Sequence, residues 1–196
     1  MRKVGLVFGF GVSDADYVVK KRTETGVYIC PYYQKWYNMI RRCNSEKYQE
    51  LHPTYKGCAV SDEWKSFMSF RKWMKSQDWE GKCLDKDIIS PGNKLYAEDL
   101  CCFVDHSVNC LLLDRKSDRG MYPVGVSLDK ERNKFFAYLN RYGKRYVIGR
   151  FSSVGDASRA YAAEKSKHIL QIASKQKDER VASGLAMHAQ MLLEAC

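Results

Sequence analysis

At 196 residues the chain can hold one sizeable domain or two small ones, and with 45% hydrophobic and 13% aromatic residues it can bury a core, which excludes a disordered chain by composition. A formal net charge of +10 calls for a polyanionic partner, of which nucleic acid is the commonest. No run of about 18 apolar residues occurs, so neither a membrane-spanning helix nor a membrane partner is expected.

Residues 1–30 alternate apolar and polar around Gly5, Gly9, Gly11 and Gly26 and read as short strands, with an Asp-rich turn at Asp14–Asp16 and a basic run at Lys20–Arg22. The start of the chain is basic then apolar, but three glycines break the apolar run, so it reads as strand and turn and not as a signal peptide. Pro31–Arg42 has helical period, with Trp36, Met39 and Ile40 on one face. Tyr48–Val60 reads as loop and strand. Asp62–Trp79 reads as one helix, its acidic residues at the positive end and Trp64, Phe67, Phe70, Trp73 and Met74 forming a core stripe. The eight cysteines include no C-x-x-C pair, so reduced, mostly buried thiols are expected and not a zinc site.

Residues 83–113 read as strand (Cys83–Ile88), Pro-Gly-Asn loop, strand (Leu100–Val104) and a helix carrying Asn109 and Leu111–Leu113. Polar residues at all three corners, namely Asp85, Lys86, Asp87, Asn93, His106 and Asn109, can converge on one point, as a divalent-cation phosphodiesterase site requires. Hard Mg²⁺ (or Mn²⁺) takes oxygen ligands, which Asp85 and Asn109 offer. Three side chains stand as candidate base: Lys86; Asp87, on the same strand face as Asp85 by period-two alternation; and His106, of the residue type that exchanges protons near neutral pH. Lysine ordinarily titrates near ~10.4, so the favoured role for Lys86 is a phosphate clamp, with water activated by the metal, Asp87 or His106.

On these residues the segment resembles the ββα-metal (HNH, or His-Me finger) nuclease motif, especially that of phage homing endonucleases. The resemblance implies Asp85 as a metal ligand, Lys86 at the position where the family has its histidine base, Asn93 as the loop asparagine and Asn109 as the helix-borne ligand. The runs W-x-x-M-x-x-R-C from Trp36, Tyr-Lys-Gly-Cys from Tyr55 and E-W-x-x-F-x-x-F from Glu63 resemble the region preceding the motif in such phage proteins.

Leu113–Met121 is a charged connector and the expected domain boundary. Beyond it come three short strands, roughly 123–127, 134–140 and 145–151, joined by turns at Asp129–Asn133 and Tyr142–Lys144, and then a helix over 156–172. From Arg115 to Arg150 ten Lys or Arg stand against three Asp or Glu, so most of the excess charge sits on this sheet, interleaved with Tyr138, Tyr142 and Tyr146. The matches Gly125-Val126, Lys134-Phe135-Phe136-Ala137, Gly143-Lys144, Ile148-Gly149-Arg150-Phe151 and Asp156-Ala157 with Ala160-Tyr161 resemble the Apetala/ethylene-response DNA-binding domain. That resemblance implies a sheet lying in the major groove, with Lys130, Arg132, Lys134, Tyr138, Arg141, Lys144, Arg145, Tyr146 and Arg150 as DNA-binding residues. The tail reads as a short helix around Leu185–Leu193, broken from the previous one at Gly184.

The expectation is an α+β protein: an HNH-like nuclease module over 1–114, an Apetala-type DNA-binding domain over 115–175 and a tail over 176–196. By resemblance it is a homing-type endonuclease, monomeric or homodimeric, hydrolysing double-stranded DNA with Mg²⁺ in the cytoplasm of a phage-infected bacterial cell. The rival is a non-catalytic DNA-binding or inhibitory protein on a degenerate HNH scaffold. An RNA-binding protein is a third reading, which would prefer single-stranded or A-form substrates.

Overall fold

Trp36 and Phe67 are fully buried, and the first of two units condenses around them. The computed structural model describes residues 5–113, 121–141 and 143–195. It divides the chain into residues 1–106 and 107–196; the connector 114–120, with the expected boundary at 114/115, lies outside the described residues, as do Tyr142 and Cys196. Among the described residues no helix is long and apolar enough to cross a membrane.

In the first unit two antiparallel hairpins come first, β1 (Leu6–Val7) with β2 (Gly11–Val12) and β3 (Lys20–Thr23) with β4 (Gly26–Ile29). Gly11 is glycine because a Cβ there would stand 2.7 Å from the Trp36 ring. Helix α1 (Pro31–Asn44) opens on a proline, whose missing N–H costs nothing in a first turn, and buries Trp36, Met39 and Ile40. The predicted helix over 62–79 is instead two, α3 (Asp62–Lys65) and α4 (Phe67–Lys75). Ser66 between them is extended and caps α4, accepting from the Ser69 N–H at 3.0 Å and donating to Asp14 Oδ2 at 2.6 Å. Asp14 Oδ1 accepts from the Met68 N–H at 2.9 Å, so the cap satisfies two donors that a continuous helix would have used internally. The apolar stripe nevertheless stays in the core. The Trp36 indole donates to the Trp64 carbonyl at 2.8 Å, and the Trp36 and Phe67 rings lie 5.6 Å apart. A fully buried Phe contributes about 2–3 kcal/mol by transfer alone.

Tyr48–Val60, expected as loop and strand, begins as helix α2 (Glu46–Leu51) because Ser45 accepts from the Tyr48 N–H and caps it. A 3₁₀ turn at Pro53–Tyr55 leads to β5 (Ala59–Val60). Strands β6 (Cys83–Asp85) and β8 (Cys102–Val104) pair antiparallel, Cys83 opposite Val104 and Asp85 opposite Cys102; both are shorter than predicted. Between them β7 (Leu95–Tyr96) leaves the hairpin and pairs parallel with β5, burying Tyr96. The expected helix bearing Leu111–Leu113 is a single turn, α5 (His106–Asn109), starting where the first unit ends.

The second unit is a three-stranded antiparallel sheet in the order β11-β10-β9, namely β9 (Val126–Asp129), β10 (Lys134–Arg141) and β11 (Lys144–Phe151). The first strand starts three residues later than predicted because Gly125 has φ +73° and the Val126 N–H turns back to the Pro123 carbonyl at 3.1 Å. Helix α6 (Val154–Ala173) is capped by Ser153 and packs on one face, where Val126, Ala137 and Ala157 are buried among Phe135, Ile148, Phe151 and Tyr161. The tail forms α7 (Glu179–Glu194), continuous through Gly184 and packed along α6. A glycine inside a helix costs about 1 kcal/mol, and the burial of Val181, Leu185 and Ala189 around it offsets that cost, so the predicted break does not form.

At Gly125 a Cβ would meet the Tyr161 ring at 2.1 Å on top of the left-handed φ. Gly125→Ala should therefore destabilise the second unit by about 2–4 kcal/mol, read as a drop in its thermal midpoint. A midpoint within error of wild type would show that Tyr161 moves aside freely.

Candidate functional site

The turn after β6 is made by Asp85. Its Oδ1 accepts from the backbone N–H groups of Asp87 (2.9 Å) and Ile88 (2.8 Å), which bends the chain out of the strand. Asp85 and Asp87 therefore meet in a turn and not on one face of a regular strand, as the alternation predicted. Lys86, between them, is only 7% exposed, and its ammonium donates to the Asn93 carbonyl at 2.9 Å and to Asp87 Oδ2 at 3.1 Å. Asn93 completes the stitching: its amide donates to the carbonyls of Lys86 (2.6 Å) and Leu95 (2.7 Å), and its Oδ1 accepts from the Leu95 N–H at 3.0 Å.

The structure thus brings Asp85, Lys86, Asp87 and Asn93 together, but in roles the sequence did not assign. Lys86 is a buried internal cation, presented neither as a base nor as a clamp on an external phosphate. Asn93 holds two backbone segments in register. Burial, and then the negative charge of the neighbouring Asp87 carboxyl, push the Asp85 carboxyl up to about 6, against the two backbone N–H groups that favour its ionised form. His106 is exposed on α5, with Nδ1 3.8 Å from Cys83 Sγ. Asn109 is half-buried at the end of α5, in the second unit.

Among the described residues no group of three or more His, Cys, Asp or Glu is arranged to hold a metal ion. The chemistry of the donors still fits a hard divalent ion: two carboxyls sharing one turn, one of them raised by burial and by its neighbour's charge, are oxygen donors that a divalent charge would relieve.

The second candidate region is the sheet. Register places Lys134, Phe136, Tyr138 and Asn140 of β10 opposite the α6 side, with Arg150, Val147 and Arg145 of β11 across from the last three of them. That pairing depends on a bulge: Gly149 faces Ala137 and Val147 faces Tyr138, so Ile148 is the extra residue. The bulge reverses side-chain parity and brings Arg145 onto the face that Arg150 occupies. There the Arg145 guanidinium lies 4.3 Å from the centre of the Tyr138 ring, and the Phe136 and Tyr138 rings are 5.7 Å apart. Asp129 Oδ2 holds both Arg150 Nε and Arg132 at 3.1 Å. Desolvation opposes ionisation of Asp129, but the hydrogen bonds from Arg150 and Arg132 prevail and keep its carboxyl below the usual range. Lys130 is exposed in the β9–β10 turn beside Arg132.

Arg141, Lys144 and Tyr146 fall on the α6 side by register. The Arg141 guanidinium is paired with the Glu164 carboxylate on α6, which makes it a strut between sheet and helix. Phe136, Asn140, Val147 and Asp129 also stand on the open face, and the sequence reading did not assign them to it. Period-two counting from Lys134 would have found Phe136, and the Asp129/Arg132 spacing marks the ion pair; nothing in the sequence marks the bulge.

No protein-family model, curated protein or solved structure matches the chain.

Because the Asp85 carboxyl titrates near about 6 in the folded chain and about 3.8 as an ordinary Asp, the folded chain holds a proton that the unfolded one has released between those values. Stability from this group is full below about pH 3.8, falls as pH rises toward about 6, and is level above it. Asp85→Asn keeps an Oδ1 acceptor for both N–H groups and cannot ionise. In EDTA it should gain about 1–3 kcal/mol on wild type at pH 7.5 relative to pH 4, measured by urea unfolding. Parallel pH profiles for the two proteins would refute the assignment.

Proposed function

We propose that the chain is a double-stranded-DNA-binding protein of the homing-endonuclease type, in which the open face of β9–β11 supplies affinity and the turn after β6 serves metal-dependent phosphodiester hydrolysis. The observation that carries the reading is the open face. Lys134, Arg145 and Arg150 stand on it with the paired rings of Phe136 and Tyr138, opposite the face that α6 covers. Cations on a flat surface meet phosphates, and aromatic and guanidinium planes between them meet base edges. Asp129 fixes Arg150 and Arg132 beforehand, which lowers the entropy lost on binding.

Hydrolysis is supported by the Asp85–Asp87 pair. In this reading the two carboxylates hold the ion, Asn93 keeps the turn in shape, and the exposed His106 imidazole takes the proton of the attacking water. The ion, when bound, supplies positive charge to the scissile phosphate and the leaving oxygen. Such a protein would act in the cytoplasm of an infected bacterial cell. One observation favours the non-catalytic alternative: the buried Lys86 ammonium already neutralises Asp87 where a divalent ion would stand.

Supercoiled plasmid incubated with the protein and Mg²⁺ should be nicked or linearised, EDTA should stop it, and Asp85→Asn should abolish cutting with DNA affinity kept. Intact plasmid with wild type in both Mg²⁺ and Mn²⁺ would leave DNA binding without chemistry.

The combined variant Lys134→Gln, Arg145→Gln and Arg150→Gln should reduce the slope of log affinity against log salt by about 3, one per phosphate contact. Arg141→Gln should instead lower the melting temperature and leave that slope in place, since its partner is Glu164. Equal slope changes in the two proteins would move the DNA surface off the open face.

A further inference from the structure

The basic run Lys20–Arg22 is not accounted for by either the sheet or the turn after β6. It forms strand β3, paired with β4 in the register Lys20 to Ile29, Lys21 to Tyr28, Arg22 to Val27 and Thr23 to Gly26. All residues from Lys20 to Tyr28 are exposed, including Val27 at 55% and Tyr28 at 46%. A free two-stranded ribbon with no covered face is marginal in water, yet this one is rooted firmly. Cys30 is buried and its N–H donates to the Val19 carbonyl at 2.8 Å; the Tyr17 hydroxyl lies 3.2 Å from Cys30 Sγ. Arg71 lies over the Tyr17 ring at 4.9 Å, and Tyr17 packs on Phe67. At the tip the Thr23 hydroxyl donates to the Gly26 carbonyl at 3.0 Å. The hairpin therefore has a fixed base and a closed tip, and among the described residues nothing of its own unit is laid over its strands.

We propose that the β3–β4 hairpin is a second DNA-binding element, an arm that enters a groove of the duplex. This rests on the DNA-binding reading above and adds a contact from the first unit to it. Size fits: four residues of strand reach about 13 Å at ~3.3 Å per residue, and the major groove, about 12 Å wide, admits a two-stranded ribbon. Charge fits as well. Lys20 and Arg22 stand on one face with Val27, and Lys21 on the other with Tyr28, its ammonium 5.6 Å from the ring centre, so both faces carry cations toward flanking phosphates. Lysines on an exposed edge also deter strand-to-strand aggregation, but that task does not call for an exposed Tyr28 and Val27 beside them.

The test is the full chain with Lys20→Gln, Lys21→Gln and Arg22→Gln, titrated against a fluorescent duplex at several salt concentrations and compared with wild type and the open-face variant. All three side chains are exposed, so the melting temperature should hold. The arm predicts a salt slope reduced by about 2–3 and at least about tenfold weaker binding near 0.15 M salt, with losses that add to those of the open-face variant. Unchanged affinity and slope in the hairpin variant, with the open-face variant still weakened, overturns the arm and leaves the sheet reading standing. Absence of duplex binding by wild type overturns both. A hairpin variant that loses binding to an A-form RNA duplex and keeps binding to DNA also overturns the proposal, assigning the arm to RNA.

Discussion

A lysine ammonium removed from water must be paired, and the segment from β6 to β7 is built around that requirement. Lys86 is placed inside by the turn that Asp85 makes after β6, between the buried Leu84 and Ile88. Once inside, it needs acceptors, and the Asn93 carbonyl and Asp87 supply them. Asn93 can offer its carbonyl only because its side chain pins the backbone at Lys86 and Leu95. Leu95–Tyr96 is in turn fixed by pairing with β5. The chain of dependence thus runs from one buried charge to a parallel pairing some thirty-five residues back along the sequence. Breaking a buried pair leaves an uncompensated charge and costs more than the pair itself contributes.

The second unit rests on a different rule, the two-residue period of a strand. The α6 side of the sheet takes Phe135, Ala137 and Leu139, and the opposite side is left to Lys134, Phe136, Tyr138 and Asn140. Arg141 follows the same parity toward α6, where Glu164 receives it. Its charge thus serves cohesion, while Arg145, opposite the preceding residue Asn140, is turned outward. Burial around Arg141 also holds the neighbouring Lys165 down to about 8, with the Arg141 charge adding to the effect.

Much of this was legible in the residues. Helical period over Pro31–Arg42 located α1, and the alternation and turn residues over 123–151 located three strands within a few residues. The grouping of Asp85, Lys86, Asp87 and Asn93 was also readable, because a strand and a Pro-Gly-Asn loop must bring them close. Their roles were not, since burial of Lys86 depends on packing from distant segments. The break at Ser66 was hidden for a similar reason: its second partner, Asp14, lies 52 residues earlier. The predicted break at Gly184 failed because propensity was weighed without the α6 surface that covers it. Arg141 was assigned outward because its type, and not its parity, was read.

The bulge at Ile148 means that which side chains face outward is controlled by register as well as residue identity. Were Ile148 paired opposite Tyr138 instead of bulging, plain alternation would send Arg145 and Val147 to the α6 side while Tyr146 emerged in their place. The composition would be kept whole, and the open surface would be rewritten. Register in this strand is therefore a coarse dial for which side chains face outward, acting in single steps where substitutions act side chain by side chain.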